Sequence, residues 1–310
     1  MKVLVTGGAG FIGSHVVDAY VAAGHEVVVV DNLASGRITN LNPSAKFYQV
    51  DITSPDLGAV FAAERPQVVN HHAAQIDVRK SVADPLFDAQ VNILGSIRLF
   101  ELCRQYQVGR VIYISTGGAV YGEPHYLPCD ENHPINPICQ YGVSKHTVEH
   151  YLFLYSQLYG FHHLILRYPN VYGPRQDPHG EAGVVAIFTG RMLAHQPVTI
   201  FGDGRQERDF LYVGDCANAN LLALNSDKQG IFNLGTGRAT NLLQLFDIMG
   251  EITHYPHQPL FAPAKLGETR RIYLTAAKAH QELGWQPSLS LVEGLEQTIR
   301  FTQLTQQVNS

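Results

Sequence analysis

The sequence predicts an α/β fold in which a doubly wound parallel sheet is joined to a smaller C-terminal α/β lobe. Short apolar runs alternate with helix-like segments through the first half of the chain, a pattern typical of parallel sheets covered on both faces. A glycine-rich loop separates the first apolar run from the first helix. Beyond Tyr168 the chain is richer in proline and glycine, which indicates that a second lobe begins there.

The first strand is predicted over residues 3–5, and a helix over residues 14–23 follows the glycine loop. Strand, glycine loop and helix in this order form the context that a dinucleotide-binding fingerprint requires. Glycines permit the tight turn and let backbone N–H groups approach a pyrophosphate, which the helix N-terminus favours electrostatically. The cofactor contacts predicted in this segment are Gly7, Gly10, Phe11, Ile12 and Gly13.

A second strand over residues 27–30 ends at Asp31. This is about the distance along the chain at which an acidic residue meets an adenosine ribose. A carboxylate there accepts hydrogen bonds from both ribose hydroxyls and repels a 2′-phosphate, so we expect NAD rather than NADP. The alternative interpretation is a tight turn followed by an ordinary strand-end aspartate.

Further strands are predicted over residues 46–50, 68–71 and 111–115, with a long helix over residues 85–106 between the last two. In a parallel sheet built this way, ligands bind at the carboxyl ends of the strands. We therefore expect the functional residues at that edge of the sheet.

Tyr141 and Lys145 are four residues apart on a helix predicted over residues 141–159, so both side chains lie on one face. A free phenol has a pKa of about 10 and is a poor base at neutral pH. A lysine ammonium and a nicotinamide cation together would lower that pKa. With the glycine loop, the pair predicts hydride-transfer chemistry in which Tyr141 moves protons.

We expect strands over residues 210–213 and 231–233 to return to the first lobe, which makes the boundary discontinuous. The predicted NAD-binding Rossmann-type domain comprises residues 1–167 and about 210–236. The predicted substrate-binding lobe comprises residues 168–209 and about 237–310.

Composition excludes several classes of protein. With 310 residues, 45% of them hydrophobic, the chain can bury a large core. Its net charge of −5 and the lack of Lys/Arg clusters argue against a nucleic-acid partner. No long apolar or signal-like segment is present, so we expect a cytoplasmic protein with no membrane association. The spacing of the four cysteines predicts reduced thiols: Cys103, Cys129, Cys139 and Cys216.

Short motifs spread over nearly the whole chain carry a resemblance to a known family. They occupy residues 6–14, 31–33, 51–52, 72–74, 92–95, 119–122, 141–145, 167–175, 208–210 and 283–287. In these segments the chain resembles the extended short-chain dehydrogenase/reductase family, and within it the nucleotide-sugar epimerases of the UDP-glucose 4-epimerase type.

The resemblance implies further contacts to NAD. The implied residues are Asn32, Asp51, Ile52, Ala73, Ala74, Asn92, Ser115 and Tyr168, in addition to Tyr141 and Lys145. Asp51 would hold the adenine edge, although a strand-end aspartate also caps turns. His71 and His72 are equally consistent with strand-end histidines satisfied by internal hydrogen bonds. An asparagine inside a helix, such as Asn92, destabilises the helix unless its side chain makes a specific hydrogen bond. In the family, the residue at this position orders the catalytic segment.

The third catalytic position departs from the family pattern. The serine or threonine that hydrogen-bonds the sugar hydroxyl in many relatives falls on Gly117. Thr116 is the first choice to supply the missing hydroxyl, with Ser115 second. The alternative is that Ser115 and Thr116 merely end the strand.

The same segment discriminates between reactions. Dehydratases and decarboxylases of the family place Asp or Glu beside the hydroxyl residue, since elimination after oxidation needs an additional acid or base. Here the neighbours are Gly117, Gly118 and Ala119. We therefore expect NAD-dependent C4 epimerisation of UDP-glucose and UDP-galactose. The alternatives are an epimerase of UDP-GlcNAc or UDP-glucuronate, a net nucleotide-sugar reductase or dehydratase, and a non-catalytic nucleotide-binding regulator.

The resemblance also implies a nucleotide-sugar site in the second lobe. Its residues are Asn170, Gly183, Val184, Thr199, Phe201, Arg208, Lys265 and Glu268. Arg208 suits a diphosphate because guanidinium binds phosphate bidentately. Ile272 aligns with a position that restricts the size of the sugar, and a core-packing role is at least as consistent with isoleucine.

The segment from His146 to His150 matches the HxxEH pattern of some zinc peptidases. On the predicted helix both histidines face away from Tyr141, and no third ligand is indicated by spacing, so we expect no metal. The helices over residues 85–106 and 141–159 resemble those with which relatives form a four-helix interface, so the predicted partner is a second copy of the chain.

Overall fold

The structure is a computed structural model, and it describes residues 1–178, 183–264 and 269–308. The strands are β1 (Lys2–Thr6), β2 (Glu26–Asp31), β3 (Lys46–Gln49), β4 (Val68–His71), β5 (Arg110–Thr116), β6 (His162–Tyr168), β7 (Asn170–Tyr172), β8 (Thr199–Phe201), β9 (Glu207–Arg208), β10 (Phe210–Tyr212), β11 (Gly230–Asn233), β12 (Thr240–Asn241), β13 (Leu260–Ala262) and β14 (Arg271–Ile272).

The helices are α1 (Phe11–Ala22), α2 (Leu57–Glu64), α3 (Val78–Ala83), α4 (Pro85–Ala89), α5 (Gly95–Gln105), α6 (Gly117–Val120), α7 (Gln140–Tyr159), α8 (Val184–Leu193), α9 (Val213–Asn225), α10 (Leu242–Thr253), α11 (Ala277–Leu283) and α12 (Leu291–Val308). A 3₁₀ turn spans Ile38–Asn40, and a π-helical segment, Gln90–Leu94, joins α4 to α5. None of the helices in the described ranges is both long and apolar enough to cross a bilayer.

Within the described residues, seven strands form one parallel sheet in the order β11-β6-β5-β4-β1-β2-β3. The strand order reverses direction between β1 and β4, which opens a crevice at the carboxyl edge of the sheet. The predicted fold class is confirmed.

Both faces of the sheet are buried because the central strands are apolar on both sides. Val3 and Val5 of β1 pack in a core with α1 and α9, whereas Leu4 packs in a second core with α2, α5 and α7. A third core lies in the second lobe among α8, α10 and α12. The strands in the first half of the sequence are therefore near-continuous hydrophobic runs, as parallel strands buried on both faces require.

One strand does not lie where it was predicted. Residues 210–213 were expected to return to the first lobe as a strand, but β10 pairs with β7 in a separate two-stranded sheet. The chain returns to the first lobe one element later, where α9 packs against α1. The strand predicted over residues 231–233 is β11, which joins the sheet edge beside β6.

Candidate functional site

The glycine loop between β1 and α1 is closed by short backbone contacts. Gly7 has φ +69°, and its carbonyl accepts a hydrogen bond from the N–H of Gly10 at 3.1 Å. A Cβ on Gly13 would lie 2.2 Å from the same carbonyl oxygen, so only glycine fits there. No described side chain caps α1 at Gly10, which leaves the first N–H groups of Phe11 and Ile12 available to an anion. The loop therefore fits a pyrophosphate.

Asp31 accepts backbone hydrogen bonds on both of its carboxylate oxygens. Its Oδ2 accepts from the backbone N–H of Ala9 at 3.0 Å, and its Oδ1 accepts from that of Leu33 at 2.8 Å. It thus holds the glycine loop against the end of β2. A carboxylate has about four lone-pair sites, so acceptor capacity remains for ribose hydroxyls.

Asn32 and Asp51 meet beside Asp31. The Nδ2 of Asn32 donates to Asp51 Oδ2 at 2.7 Å, and Thr53 donates from both its backbone and its hydroxyl to Asp51 Oδ1. Burial opposes ionisation of Asp51, but these hydrogen bonds together lower its pKa. Ile52 is 5% exposed and packs on Gly95, so its side chain belongs to the core.

The end of β4 lies against the glycine loop. The N–H of Ala73 donates to Thr6 Oγ1 at 3.2 Å, and a Cβ on Gly7 would lie 2.7 Å from the nitrogen of Ala73. His71 is the satisfied strand-end histidine: its ring nitrogens lie 2.7 Å from Thr6 Oγ1 and 2.9 Å from Ser96 Oγ. Ala73 thus lies directly against the glycine loop.

Asn92 lies in the π-helical segment, where such irregularities often mark functional sites. Its Oδ1 accepts from the N–H of Gln75 at 2.8 Å, and its Nδ2 lies within 3.2 Å of three acceptors: Gln75 O, Asp88 Oδ1 and Ser144 Oγ. With its side-chain nitrogen and oxygen both bonded within the protein, Asn92 ties the segment after β4 to α7. The contacts support an ordering role rather than a direct contact to the cofactor.

Tyr141 and Lys145 begin α7, which packs on the face of β5 that carries Tyr113. The Nζ of Lys145 lies 4.3 Å from the centre of the Tyr113 ring, and the N–H of Tyr141 donates to Ser81 Oγ at 3.2 Å. Burial lowers the pKa of Lys145 to about 7, although the carboxylates of Glu149 and Asp88 act in the opposite direction. The two side chains share one face, as their spacing predicts.

Tyr141 does not yet have the lowered pKa that a base needs. Burial raises the pKa of its phenol well above the ordinary value, and the charges of Cys139 and Asp88 add to that effect. Lys145 alone therefore does not offset the cost of burying a phenolate.

Sequence reasoning missed a buried polar network behind this pair. Glu149 lies eight residues after Tyr141 on α7, and its carboxylate accepts from Arg167 at 2.8 and 2.6 Å. Arg167 also donates to Tyr121 Oη at 2.9 Å, and that hydroxyl donates to Asn233 Oδ1 at 2.8 Å. Burial opposes ionisation of Glu149, but hydrogen bonds from Arg167 and His146 lower its pKa to about 2. The available signal in the sequence was spacing: Glu149 lies four residues after Lys145 and eight after Tyr141, which places all three on one face of a helix.

The same contacts show how the residues of the HxxEH segment are used. The Nδ1 of His146 lies 3.0 Å from Glu149 Oε2, while the carboxylate is held by Arg167. His150 is exposed, so it does not converge with them. Glu149 serves an ion pair rather than the zinc chemistry for which the motif is known.

Ser115 and Thr116, the two candidates for the catalytic hydroxyl, lie on opposite faces of β5 because side chains alternate along a strand. Ser115 is 3% exposed and lies beside Glu149, on the α7 side of the strand. Thr116 faces the other way and is half-buried. A Cβ built on Gly118 would lie 3.7 Å from Thr116 Oγ1 and 4.0 Å from Asn170 Oδ1, so both polar atoms lie close to Gly118.

The second lobe meets this edge through β7, β9 and β14. Asn170 is exposed, and its N–H donates to the carbonyl of Asp209 at 3.0 Å. Arg208 is paired in register with Ile272, and its Nη1 donates to the carbonyl of Glu207. Ile272 is 3% exposed within an apolar cluster, so packing, not sugar selection, is the role that its position supports.

Other predicted residues lie on separate elements. Gly183 and Val184 begin α8, and β8 carries Thr199 and Phe201, of which Phe201 is 39% exposed. Tyr168 ends β6 with its side chain in the core and its hydroxyl bonded by Asn220, so only its backbone is available to a cofactor. Two predicted substrate contacts lie outside the described residues: Lys265 and Glu268.

Known proteins resemble this chain over almost its full length. The model of the NAD dependent epimerase/dehydratase family matches residues 3–235. A UDP-glucose 4-epimerase of Mycolicibacterium smegmatis is 44% identical and aligns with 97% of this chain and 98% of its own. The crystal structure of a Thermotoga maritima UDP-glucose 4-epimerase with UDP-glucose is 48% identical, has a TM-score of 0.97, and covers 99% of this chain and 100% of its own. That of a Thermus thermophilus UDP-glucose 4-epimerase in complex with NAD is 44% identical, with a TM-score of 0.93 and coverage of 98% and 99%.

Proposed function

The chain belongs to the NAD-dependent epimerase/dehydratase family and is an NAD-dependent epimerase, and on that premise we propose that it inverts C4 of a nucleotide-activated hexose. UDP-glucose and UDP-galactose are the first pair to test. One observation carries the choice of reaction within the family: the residues after Thr116 are Gly117, Gly118 and Ala119, which hold no acid or base for an elimination.

Bound NAD would supply reversible hydride transfer at the sugar C4, so that a 4-keto sugar forms transiently and the configuration at C4 can invert. Tyr141 takes the proton of the 4-hydroxyl through its phenolate oxygen and later gives it back. Lys145 holds the nicotinamide ribose, and its ammonium favours the phenolate. Asp31 holds the adenosine ribose, and the N-terminus of α1 holds the pyrophosphate.

Thr116 is the proposed partner of the sugar hydroxyl. Its half-buried position supports this choice over Ser115, which is 3% exposed beside the Glu149–Arg167 pair. A hydroxyl there can accept and donate at once, so it can position the substrate oxygen while the proton moves.

The nucleotide is proposed to lie across the second lobe. Asn170 and Arg208 would contact the diphosphate, and Gly183 and Val184 would offer backbone N–H groups at the start of α8. Phe201 is exposed on β8, where a base can stack on its ring.

A homodimer is part of the proposal. The helices α5 and α7 pack against each other. The exposed apolar residues on α7 and in the segment before α5 include Leu94, Val143, Leu154 and Leu158. Exposed apolar side chains of this kind fit a protein interface.

The test is to purify the protein, measure retained NAD, and follow UDP-galactose by NMR. Parallel samples contain UDP-GlcNAc, UDP-glucuronate and a dTDP-sugar. We expect C4 inversion of UDP-galactose without added cofactor. The absence of C4 inversion in every sample would refute the proposal, and net consumption of free NADH would favour a reductase.

Tyr141→Phe tests the role of the phenol in the same assay. Loss of a general base is expected to lower kcat by about 100-fold or more, while NAD is retained. Tyr151→Phe, an exposed tyrosine on the same helix, is the matched control and should keep its turnover. A Tyr141→Phe variant with full turnover would contradict the assignment.

A further inference from the structure

Gly117 begins α6, and its surroundings leave no room for a side chain. A Cβ built there would lie 2.3 Å from Cδ1, 3.1 Å from Cδ2 and 3.3 Å from Cγ of Leu274. Real Cβ atoms do not approach another heavy atom closer than 3.0 Å. The backbone itself does not require glycine, because Gly117 is not among the residues with positive φ. A single side chain from the second lobe is therefore the obstacle.

Hydrogen bonds hold the backbone on each side of Leu274. Its N–H donates to Asp209 Oδ2 at 3.2 Å. The preceding carbonyl, of Tyr273, accepts from the N–H of Cys129 at 2.9 Å, and the N–H of Thr275 donates to the carbonyl of Cys129 at 2.9 Å. The side chain of Leu274 is fully buried in a cluster with Val120, Tyr121, Cys129 and Ile272.

We infer that Leu274 is a positioning residue, which fills the space of a side chain at position 117 and so confines the catalytic hydroxyl of this chain to Thr116. The inference rests on the proposed function, in which Thr116 holds the sugar hydroxyl. Ser115 does not compete, since it is 3% exposed and buried beside Glu149. Leu274, in the loop after β14, thus excludes a hydroxyl side chain at position 117 of α6 and leaves Thr116 of β5 to carry the hydroxyl.

The steric part is tested with Gly117→Ser alone and combined with Leu274→Ala. Alanine keeps the Cβ of Leu274 and removes all three atoms that a side chain at 117 would meet. We expect G117S to lower the thermal midpoint and the retained NAD, and G117S/L274A to recover both relative to G117S. Leu274→Val is the second variant if the alanine variant does not fold. A G117S protein with the wild-type midpoint and turnover would overturn the inference.

The functional part of the inference is tested by moving the hydroxyl from residue 116 to residue 117. Thr116→Ala is expected to lower kcat by about 100-fold, as for loss of a group that assists proton transfer. The triple variant T116A/G117S/L274A is then compared with T116A/G117A/L274A, which differs from it by one oxygen atom. We expect the serine variant to have a kcat at least about 10-fold higher than the alanine variant, with a similar KM.

The outcomes separate the two claims. Equal kcat in the two folded triple variants, after a loss in T116A, would overturn the inference about Leu274 and leave the role of Thr116 intact. A T116A variant with wild-type kcat would overturn the assignment of Thr116 in the proposed function, and the inference with it. If Leu274 had only a structural role, the serine and alanine triple variants would have the same kcat.

Discussion

Lys145 shows how burial sets the chemistry of a single residue. Its side chain is 4% exposed, over the ring of Tyr113, in a region where two carboxylates and one guanidinium lie nearby. Burial costs the ammonium its hydration, so the pKa falls from an ordinary value of about 10.4 to about 7. A lysine in this range changes charge near neutral pH.

This shift predicts a pH-dependent stability. Between the two pKa values the unfolded chain binds more protons than the folded protein, so the free energy of unfolding rises with pH there. Relative to Lys145→Met, the wild type should gain about 2 to 3 kcal/mol between about pH 6 and about pH 9. Urea unfolding of both proteins measures the difference, with Lys80→Met, an exposed lysine, as the control. A difference that stays constant over this range would show that Lys145 is not shifted.

At the scale of the element, α7 has two faces with separate tasks. One face carries Tyr141, Lys145 and Glu149 at intervals of four residues, all turned toward β5 and β6. The other face carries exposed apolar residues such as Leu154 and Leu158. A single helix therefore connects the proposed catalytic pair, a buried ion pair and the proposed dimer surface.

The buried ion pair predicts a large stability effect. Glu149→Gln leaves the guanidinium of Arg167 without a countercharge in the interior, which is expected to lower the free energy of unfolding by about 3 to 5 kcal/mol. Asp203→Asn, which breaks the exposed pair with Arg270, should change it far less. Urea denaturation compares the two. Equal losses would mean that Arg167 finds other partners when Glu149 is neutral.

At the scale of the whole molecule, two lobes meet at the carboxyl edge of the sheet. The contact between Leu274 and α6 links the second lobe to the end of β5. In this arrangement the proposed cofactor residues lie on the first lobe and the proposed nucleotide residues on the second. A substrate bound between them would contact both.

The proposed dimer gives a prediction at this scale. The double variant Leu154→Glu/Leu158→Glu places charges on side chains that are 40% and 69% exposed on α7. We expect light scattering during gel filtration to give twice the chain mass for the wild type and the chain mass for the variant. Leu304→Glu, on the exposed surface of α12, should leave the dimer intact. A monomeric wild type, or dissociation by Leu304→Glu alone, would refute this interface.

The sequence by itself determined the parallel sheet, the glycine loop with Asp31 at the end of β2, and the Tyr141/Lys145 pair. Each of these follows from a short-range pattern: strand and helix periodicity, residues that end a strand, or spacing of four along a helix. Parallel strands align their carboxyl ends, so strand-end residues far apart in the chain meet at one edge without further information.

Only the tertiary structure decided the pairing of β10 with β7, the burial of Ile272, the partnership of Glu149 with Arg167, and the side of β5 to which Thr116 points. It also placed Leu274 over Gly117. These features depend on contacts between segments distant in sequence, where packing volume and hydrogen-bond satisfaction select the neighbour. No local pattern encodes which distant side chain fills a given space.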